Sequence, residues 1–390
     1  MSAPRRPRVV DFSTHLSGPL AAHLLAEMGA DVVKIEAPRL GDRNRGFNPL
    51  INGRGMLHVA LNPGARSLAV STRSPRWPGV VEAAAKWADA VIVGSRPVDA
   101  AARGLDFASL SRHNPRLTYC MISGFGEVGP WKDYFAHGQN VDALAGALNV
   151  TWQDGVPLTP PGWRSVGTSA AGVFGAMAVF AGMARADREG HGQHVSVSQW
   201  ASAMWWGWRD LTCIANLGEP WRDYQELGSR YAMYATSDDR AVLIAPIEEK
   251  FWVRFCEIAE LPGDWAGTGQ WDKTGVDFGR GPEYEHERAV VASTMRGRTM
   301  REWWEMFEPA GIPFAPVLTL AEALASEHAS AEQIFSSTTV GGAPAQFVNS
   351  PIRFAGGPAA DLGPPPEIGA DTSSILADFG LPADNDDQLE

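Results

Sequence analysis

Residues 8–36, RVVDFSTHLSGPLAAHLLAEMGADVVKIE, decide the reading of the fold. Arg8-Val-Val-Asp-Phe12 is a short apolar run between polar residues, the mark of a buried strand. Past Ser17-Gly18-Pro19 the apolar spacing turns helical through Leu20, Leu24, Leu25 and Met28, and Gly29 stops the helix. Asp31-Val-Val-Lys-Ile-Glu36 reads as a second strand, so the stretch is a βαβ unit with a right-handed crossover. Outward from it come a helical stretch around Val80 to Trp87, a strand at Asp89-Ala-Val-Ile-Val93, and another at Leu117-Thr-Tyr-Cys-Met-Ile122 running into Ser123-Gly-Phe-Gly126. The expected fold is α/β, with a doubly wound, Rossmann-like large domain. Such sheets bind ligands beyond the carboxyl ends of their strands, which singles out the turns after Phe12, Glu36, Val93 and Ile122.

Further along, Ser169 to Met183 is mostly Ala, Gly, Val, Phe and Met, the composition of a helix packed closely on other helices and too broken by glycine to span a membrane. Beyond the Trp-rich stretch Trp200 to Trp208 the pattern shifts to Tyr231–Thr236, Ala241-Val-Leu-Ile-Ala245 and an amphipathic Phe251-Trp-Val-Arg-Phe-Cys-Glu-Ile258. We read these as a smaller α+β domain. The expected division is 1–215 for the large domain, 225–325 for the small one, and 326–390 as a segment returning to the large domain. Its Pro- and Gly-rich part, 341–369, is expected to wander over a surface. For the tryptophans, packing in the core or at a subunit interface is favoured over an aromatic acyl pocket.

With 390 residues, two domains are the natural expectation. Hydrophobic residues make up 45% and charged residues 20%, a globular balance, and no apolar run approaches the roughly 18 residues a spanning helix needs. A net charge of −12 argues against nonspecific nucleic-acid binding. Arg5, Arg6 and Arg8 lead directly into a strand with no signal-peptide core, so a cytoplasmic location is expected. Cys120, Cys213 and Cys256 are far apart and suit buried, reduced thiols. The turn Ser13-Thr-His-Leu-Ser-Gly-Pro19 lacks the glycine spacing that admits a pyrophosphate, so NAD is not expected. The phosphate-loop, nucleophile-elbow and zincin motifs are missing as well. His191 and His194 lie in a turn entering a strand without companion ligands, so no metal is expected.

Several stretches in order resemble the class III CoA-transferase family, which includes formyl-CoA transferases, carnitine CoA-transferases and α-methylacyl-CoA racemases. They are Val9-Val-Asp-Phe-Ser13, Ser17-Gly-Pro19, Gly29-Ala-Asp-Val-Val-Lys-Ile-Glu36 with Gly41-Asp42, and Ala88-Asp-Ala-Val-Ile92. Asn114-Pro-Arg-Leu117, Ile122-Ser-Gly-Phe-Gly126 with Gly129-Pro130, Gly190-His-Gly-Gln-His-Val-Ser-Val197 and Gly311-Ile-Pro-Phe-Ala-Pro-Val317 continue the match. The resemblance implies an interlocked dimer, with acyl-CoA held between the large domain of one chain and the small domain of the other. It also implies a transferase whose substrates are acyl-CoA and a carboxylic acid.

In that family an aspartate attacks the thioester, forms a mixed anhydride and then carries CoA. Motif spacing puts this position on Thr168 in Ser165-Val-Gly-Thr-Ser-Ala-Ala-Gly172, and no carboxylate lies between Asp154 and Asp187. A hydroxyl gives an ester too unreactive to act as carrier. The racemases pair the aspartate with a histidine, and His137 in Ala136-His-Gly-Gln-Asn140 matches that histidine. His15 and Leu16 fall where the family approaches thioester and pantetheine with backbone. Ala37 and Ala65 stand where basic residues are common, while Arg39, Arg43, Arg66, Arg96 and Arg103 lie nearby as candidate phosphate ligands. Three functions follow from the resemblance: the aspartate-lacking subunit of a heteromeric CoA-transferase with a homologous, aspartate-bearing partner; a homodimeric acyl-CoA racemase, isomerase or lyase using His137; or a non-catalytic acyl-CoA-binding protein.

Overall fold

Val9 and Val10 are buried on both faces of β1 (Arg8–Asp11), as the apolar run requires. The sheet continues with β2 (Asp31–Glu36), β3 (Ala65–Ala69), β4 (Ala90–Val93), β5 (Thr118–Ser123) and β6 (Gln193–Ser198). All six are parallel, in the order β3-β2-β1-β4-β5-β6, so the connection reverses direction between β1 and β4. This is the doubly wound order, and the reversal opens a crevice at the carboxyl ends of β1 and β4. The structure is a computed structural model and describes residues 5–160, 162–221, 228–271, 273–355 and 361–382.

Among the helices of this unit are α1 (Ser17–Glu27), α2 (Trp77–Trp87), α3 (Gly138–Leu144), α4 (Val166–Glu189) and α5 (Gln199–Trp206). One face of the sheet is covered by α2, through Val80, Val81 and Ala84. The other is covered by α1 and α4, through Ala21, Leu25, Ala171, Ala176 and Val179. Glycine permits the second contact: a Cβ on Gly172 would lie 2.7 Å from the Leu20 side chain, and one on Gly175 would lie 2.5 Å from Ile122 Cδ1. By length and composition α4 could cross a membrane, but half of its most apolar window is buried inside the protein, as in a core helix.

The second unit, 212–332, is built on a three-stranded antiparallel sheet of β7 (Ala232–Ala235), β8 (Ala241–Ile244) and β9 (Phe314–Pro316), with β8 in the middle. Its longer helices include α6 (Glu249–Ala259), α7 (Glu285–Met295) and α8 (Met300–Phe307). Its core is aromatic: Trp252 stacks on Phe255, Phe255 on Phe307, and Trp303 on Phe307, at centroid distances of 5.6, 5.2 and 5.3 Å. The buried Arg230 is neutralised by Glu287 and Asp277 and lies 4.2 Å from the Trp252 ring centroid.

After this unit the chain rejoins the first, which comprises 1–211 and 333–390. The returning segment is more regular than its proline and glycine content suggests. It opens with a hairpin, β10 (Phe335–Val340) and β11 (Ala343–Val348), whose turn residues Gly341 and Gly342 have φ of 56° and 79°. That left-handed pair is the turn glycine favours between antiparallel strands. The final helix, α9 (Thr372–Asp378), buries Ile375 and Leu376 against the α2 face of the large sheet. Core packing does not account for the Trp-rich stretch, because Trp205, Trp206 and Trp208 are 54%, 62% and 50% exposed.

Candidate active site

The crevice between β1 and β4 is filled by Ser13. A Cβ on Gly94 would lie 2.5 Å from Ser13 Cβ, and Gly18 is closer still to the same side chain. The turn therefore passes outward to His15, a non-glycine residue at φ 72°. Such a conformation is uncommon for a side-chain-bearing residue and is held by its surroundings. Here the His15 N–H donates to Asp42 Oδ1 at 2.9 Å, and the His15 carbonyl accepts from Asn44 Nδ2 at 3.3 Å. Leu16 follows at the N-cap of α1, where its carbonyl accepts from Leu20 N at 2.8 Å.

Behind this turn lies a buried charge network made from the Lys-Ile-Glu and Gly-Asp residues of the sequence. Lys34 Nζ is 2.8 Å from Asp42 Oδ2 and 3.1 Å from Asp11 Oδ2, and it donates to the Ser13 carbonyl at 3.2 Å. Burial disfavours the Lys34 charge, but Asp11 and Asp42 outweigh it and raise the pKa. Burial likewise pushes the Asp42 carboxyl up, and Lys34 with the N–H groups of Asn44 and His15 holds it below its usual range. Glu36 accepts from the Asp42 N–H at 2.7 Å, from Arg45 Nε at 2.8 Å and from Ser67 Oγ at 2.6 Å. The network thus ties the loops after β1 and β2 into one rigid support for His15 and Leu16. The sequence reading missed this role, although a lysine inside an apolar strand already signals a buried partner.

Thr168 lies in the first turn of α4, buried, with its hydroxyl donating to Ser165 Oγ at 2.8 Å. Its carbonyl accepts from Ser17 Oγ at 2.8 Å, which connects it to the turn that carries His15. The N–H groups of Val166 and Gly167 donate to Asp142 Oδ2 and Oδ1 at 3.0 and 2.8 Å. Asp142 is fully buried and caps α4 from α3, a nonlocal capping that sequence spacing does not reveal. This carboxylate is committed to the helix end.

His137 precedes α3, and Asn140 fixes its backbone by accepting from the His137 N–H at 3.2 Å. The residue is exposed. A Cβ on the neighbouring Gly138 would lie 3.3 Å from Thr168 Cγ2, so the histidine loop rests on the start of α4. The His15 pKa is lowered by burial first, is opposed by Asp42, and is lowered further by Arg43 and His137. His15, Arg43, His137 and Thr168 therefore gather at one end of the sheet.

The remaining arginines divide. Arg39 and Arg43 are exposed in the loop after β2. Arg96, after β4, is paired with Asp99 at 2.7 Å, donates to the Asp133 carbonyl at 2.9 Å and covers the Phe135 ring at 3.6 Å. Arg103 is exposed beside the start of α2, its carbonyl accepting from the Trp77 indole at 2.9 Å. Arg66 does not join the group. It sits at the amino end of β3 rather than in a carboxyl-end loop, and Asp31 and Asp378 already occupy its guanidinium at 2.9 and 2.8 Å.

Comparison with known proteins shows the family. The chain is 33% identical over 199 residues to succinate–glutarate CoA-transferase of Agrobacterium fabrum, an alignment covering 49% of each chain. It is 24% identical over 339 residues to the succinyl-CoA–L-malate CoA-transferase beta subunit of Chloroflexus aurantiacus, covering 84% of this chain and 81% of that one. A CAIB/BAIF family protein from Brucella suis has the same fold, with a TM-score of 0.77 at 21% identity over 96% of this chain and 98% of the other. The sequence model of CoA-transferase family III matches residues 7–372, and the chain belongs to that family.

Proposed function

We propose that this chain is the aspartate-lacking subunit of a heteromeric class III CoA-transferase that moves CoA between carboxylic acids. A homologous partner supplies the nucleophilic carboxylate. The observation that carries the reading is Thr168 in the first turn of α4 beside Asp142, a carboxylate held by two backbone N–H groups. A hydroxyl cannot form the mixed anhydride on which the reaction runs. The loops around His15 and Leu16 suit continued acyl-CoA binding, with Arg39, Arg43, Arg96 and Arg103 in loops around the carboxyl end of the sheet. Similarity to a protein named as a beta subunit also supports a partnered assembly. The interlocked arrangement and a cytoplasmic location belong to the same proposal.

The exposed His137, next in sequence to Gly138, whose backbone approaches Thr168, favours a second reading in which a homodimer moves an α-proton of an acyl-CoA. Three assays bear on them: calorimetric binding of acyl-CoA, exchange of labelled carboxylic acid into the thioester, and entry of solvent deuterium at the acyl α-position. The partnered reading expects binding without exchange by this chain alone, and exchange once an aspartate-bearing homologue is added. Exchange by the pure homodimer would sink it. Solvent deuterium entering the acyl α-position, abolished by His137→Ala, would establish the second reading.

A further inference from the structure

We propose that the cavity of the second unit walled by Ser229, Gly279, Arg280, Tyr284 and Arg288 is a site for a small oxyanion, a carboxylate or phosphate group held by two guanidiniums. The cavity lies between the segment leading into β7 and the start of α7, and measures about 260 Å³. A space of that volume suits an ion or an acid of a few carbons. All its residues belong to 212–332, whereas Thr168, His137 and His15 belong to the first unit, so the site goes beyond the transfer chemistry proposed above.

Its floor is a close meeting of two backbone segments. Gly228, Ser229, Gly279 and Tyr284 are buried. The Ser229 N–H donates to the Gly279 carbonyl at 2.9 Å, and a Cβ on Gly228 would strike the Phe278 carbonyl. The hydroxyls of the floor are already committed: Ser229 Oγ donates to Glu287, and Tyr284 Oη donates to Asp277 Oδ2 at 2.6 Å. Beneath them Arg230 pairs with Glu287 and Asp277 at 2.7 and 3.1 Å. The side-chain donors that select a ligand are therefore the guanidiniums of Arg280 and Arg288, which line the cavity.

Both guanidiniums lie near aromatic rings. Arg280 Cζ is 4.3 Å from the Phe278 ring centroid, and Arg288 Cζ is 6.0 Å from that of Tyr234. A ring against a guanidinium limits its rotation and leaves the N–H edge for hydrogen bonds. With five N–H groups, a guanidinium can serve a ligand as well as a neighbour. Glu285 is the one carboxylate among the lining residues, so two guanidiniums face one negative charge and the wall is positive by one. That surplus favours an anion, and the fork of a guanidinium matches the paired oxygens of a carboxylate or phosphate.

The test is titration calorimetry and thermal melting on the full chain, or on its complex if a partner copurifies, at fixed ionic strength with chloride as the control anion. The probes are acetate, succinate and inorganic phosphate. The expected result is saturable binding of at least one probe at concentrations where chloride has no effect. Tighter binding of acetate or succinate identifies a carboxylate ligand, and tighter binding of phosphate a phosphate ligand; either supports the site. Arg280→Met and Arg288→Met should each weaken that binding by about tenfold, having lost one charge-assisted contact, whereas Glu285→Gln should tighten it. No saturable binding, unchanged affinity in either arginine variant, or failure of Glu285→Gln to tighten binding would overturn the proposal. If one arginine variant does not fold, the other decides.

Discussion

At the scale of single residues, most of the site depends on partners that lie far away in sequence. Asp42 holds the His15 N–H with one oxygen and Lys34 with the other. Asp42→Asn keeps the shape but leaves Lys34 with Asp11 alone; breaking such a buried pair costs about 3–5 kcal/mol. Urea unfolding should show the loss, and calorimetry should show weaker acyl-CoA binding because the loops after β1 and β2 are held together less firmly once the Lys34–Asp42 pair is gone. Two other buried groups set the acid limit. His23 and His58 both have pKa values lowered to about 4, His23 by burial and His58 by burial with Arg45. The unfolded chain takes up these protons first, so their contribution is complete above pH ~6.5 and is lost as pH falls toward ~4. Melting temperature should decline across that window, and His23→Phe should flatten the decline. The order of motifs singled out Thr168, His137, His15 and Leu16 as candidates. The roles of Lys34, Asp42 and Asp142 were not legible there, because each depends on which loop or helix folds over it. Arg66 misled because it sits near the right motif but at the wrong end of its strand.

At the scale of elements, α4 shows what composition can and cannot disclose. Its alternation of small residues foretold close packing, and the structure places Gly172 on α1 and Gly175 on β5. Gly175→Val would force side-chain volume onto Ile122 and Ala21, and overpacking of this kind costs about 1–3 kcal/mol. Chemical denaturation should register that loss, while the exposed Gly79 on α2, whose Cβ would meet nothing within 4 Å, should tolerate alanine with little change. The strands β1, β2, β4 and β5 were readable because burial on both faces leaves unbroken apolar runs. Edge strand β3 escaped notice, since Ala65-Arg-Ser-Leu-Ala69 alternates too weakly to stand out. The hairpin β10–β11 was hidden by a polar sequence whose main signal, Gly341-Gly342, reads equally well as a loop.

For the whole molecule, the chain belongs to CoA-transferase family III, and the proposal turns on reading Thr168 as the position where that family's chemistry uses a carboxylate. Thr168→Asp separates a missing nucleophile from a wider loss of function. The new carboxylate would sit in the first turn of α4, where the helix dipole favours negative charge. Gain of acid exchange in the isolated chain is the expected outcome, and its absence would mean that the acyl pocket is completed by the partner as well. The most direct measurement is native mass spectrometry of the complex isolated from its source cells, with each subunit identified. The account predicts this chain together with a homologue that carries aspartate at the position of Thr168; an assembly made only of copies of this chain would contradict it.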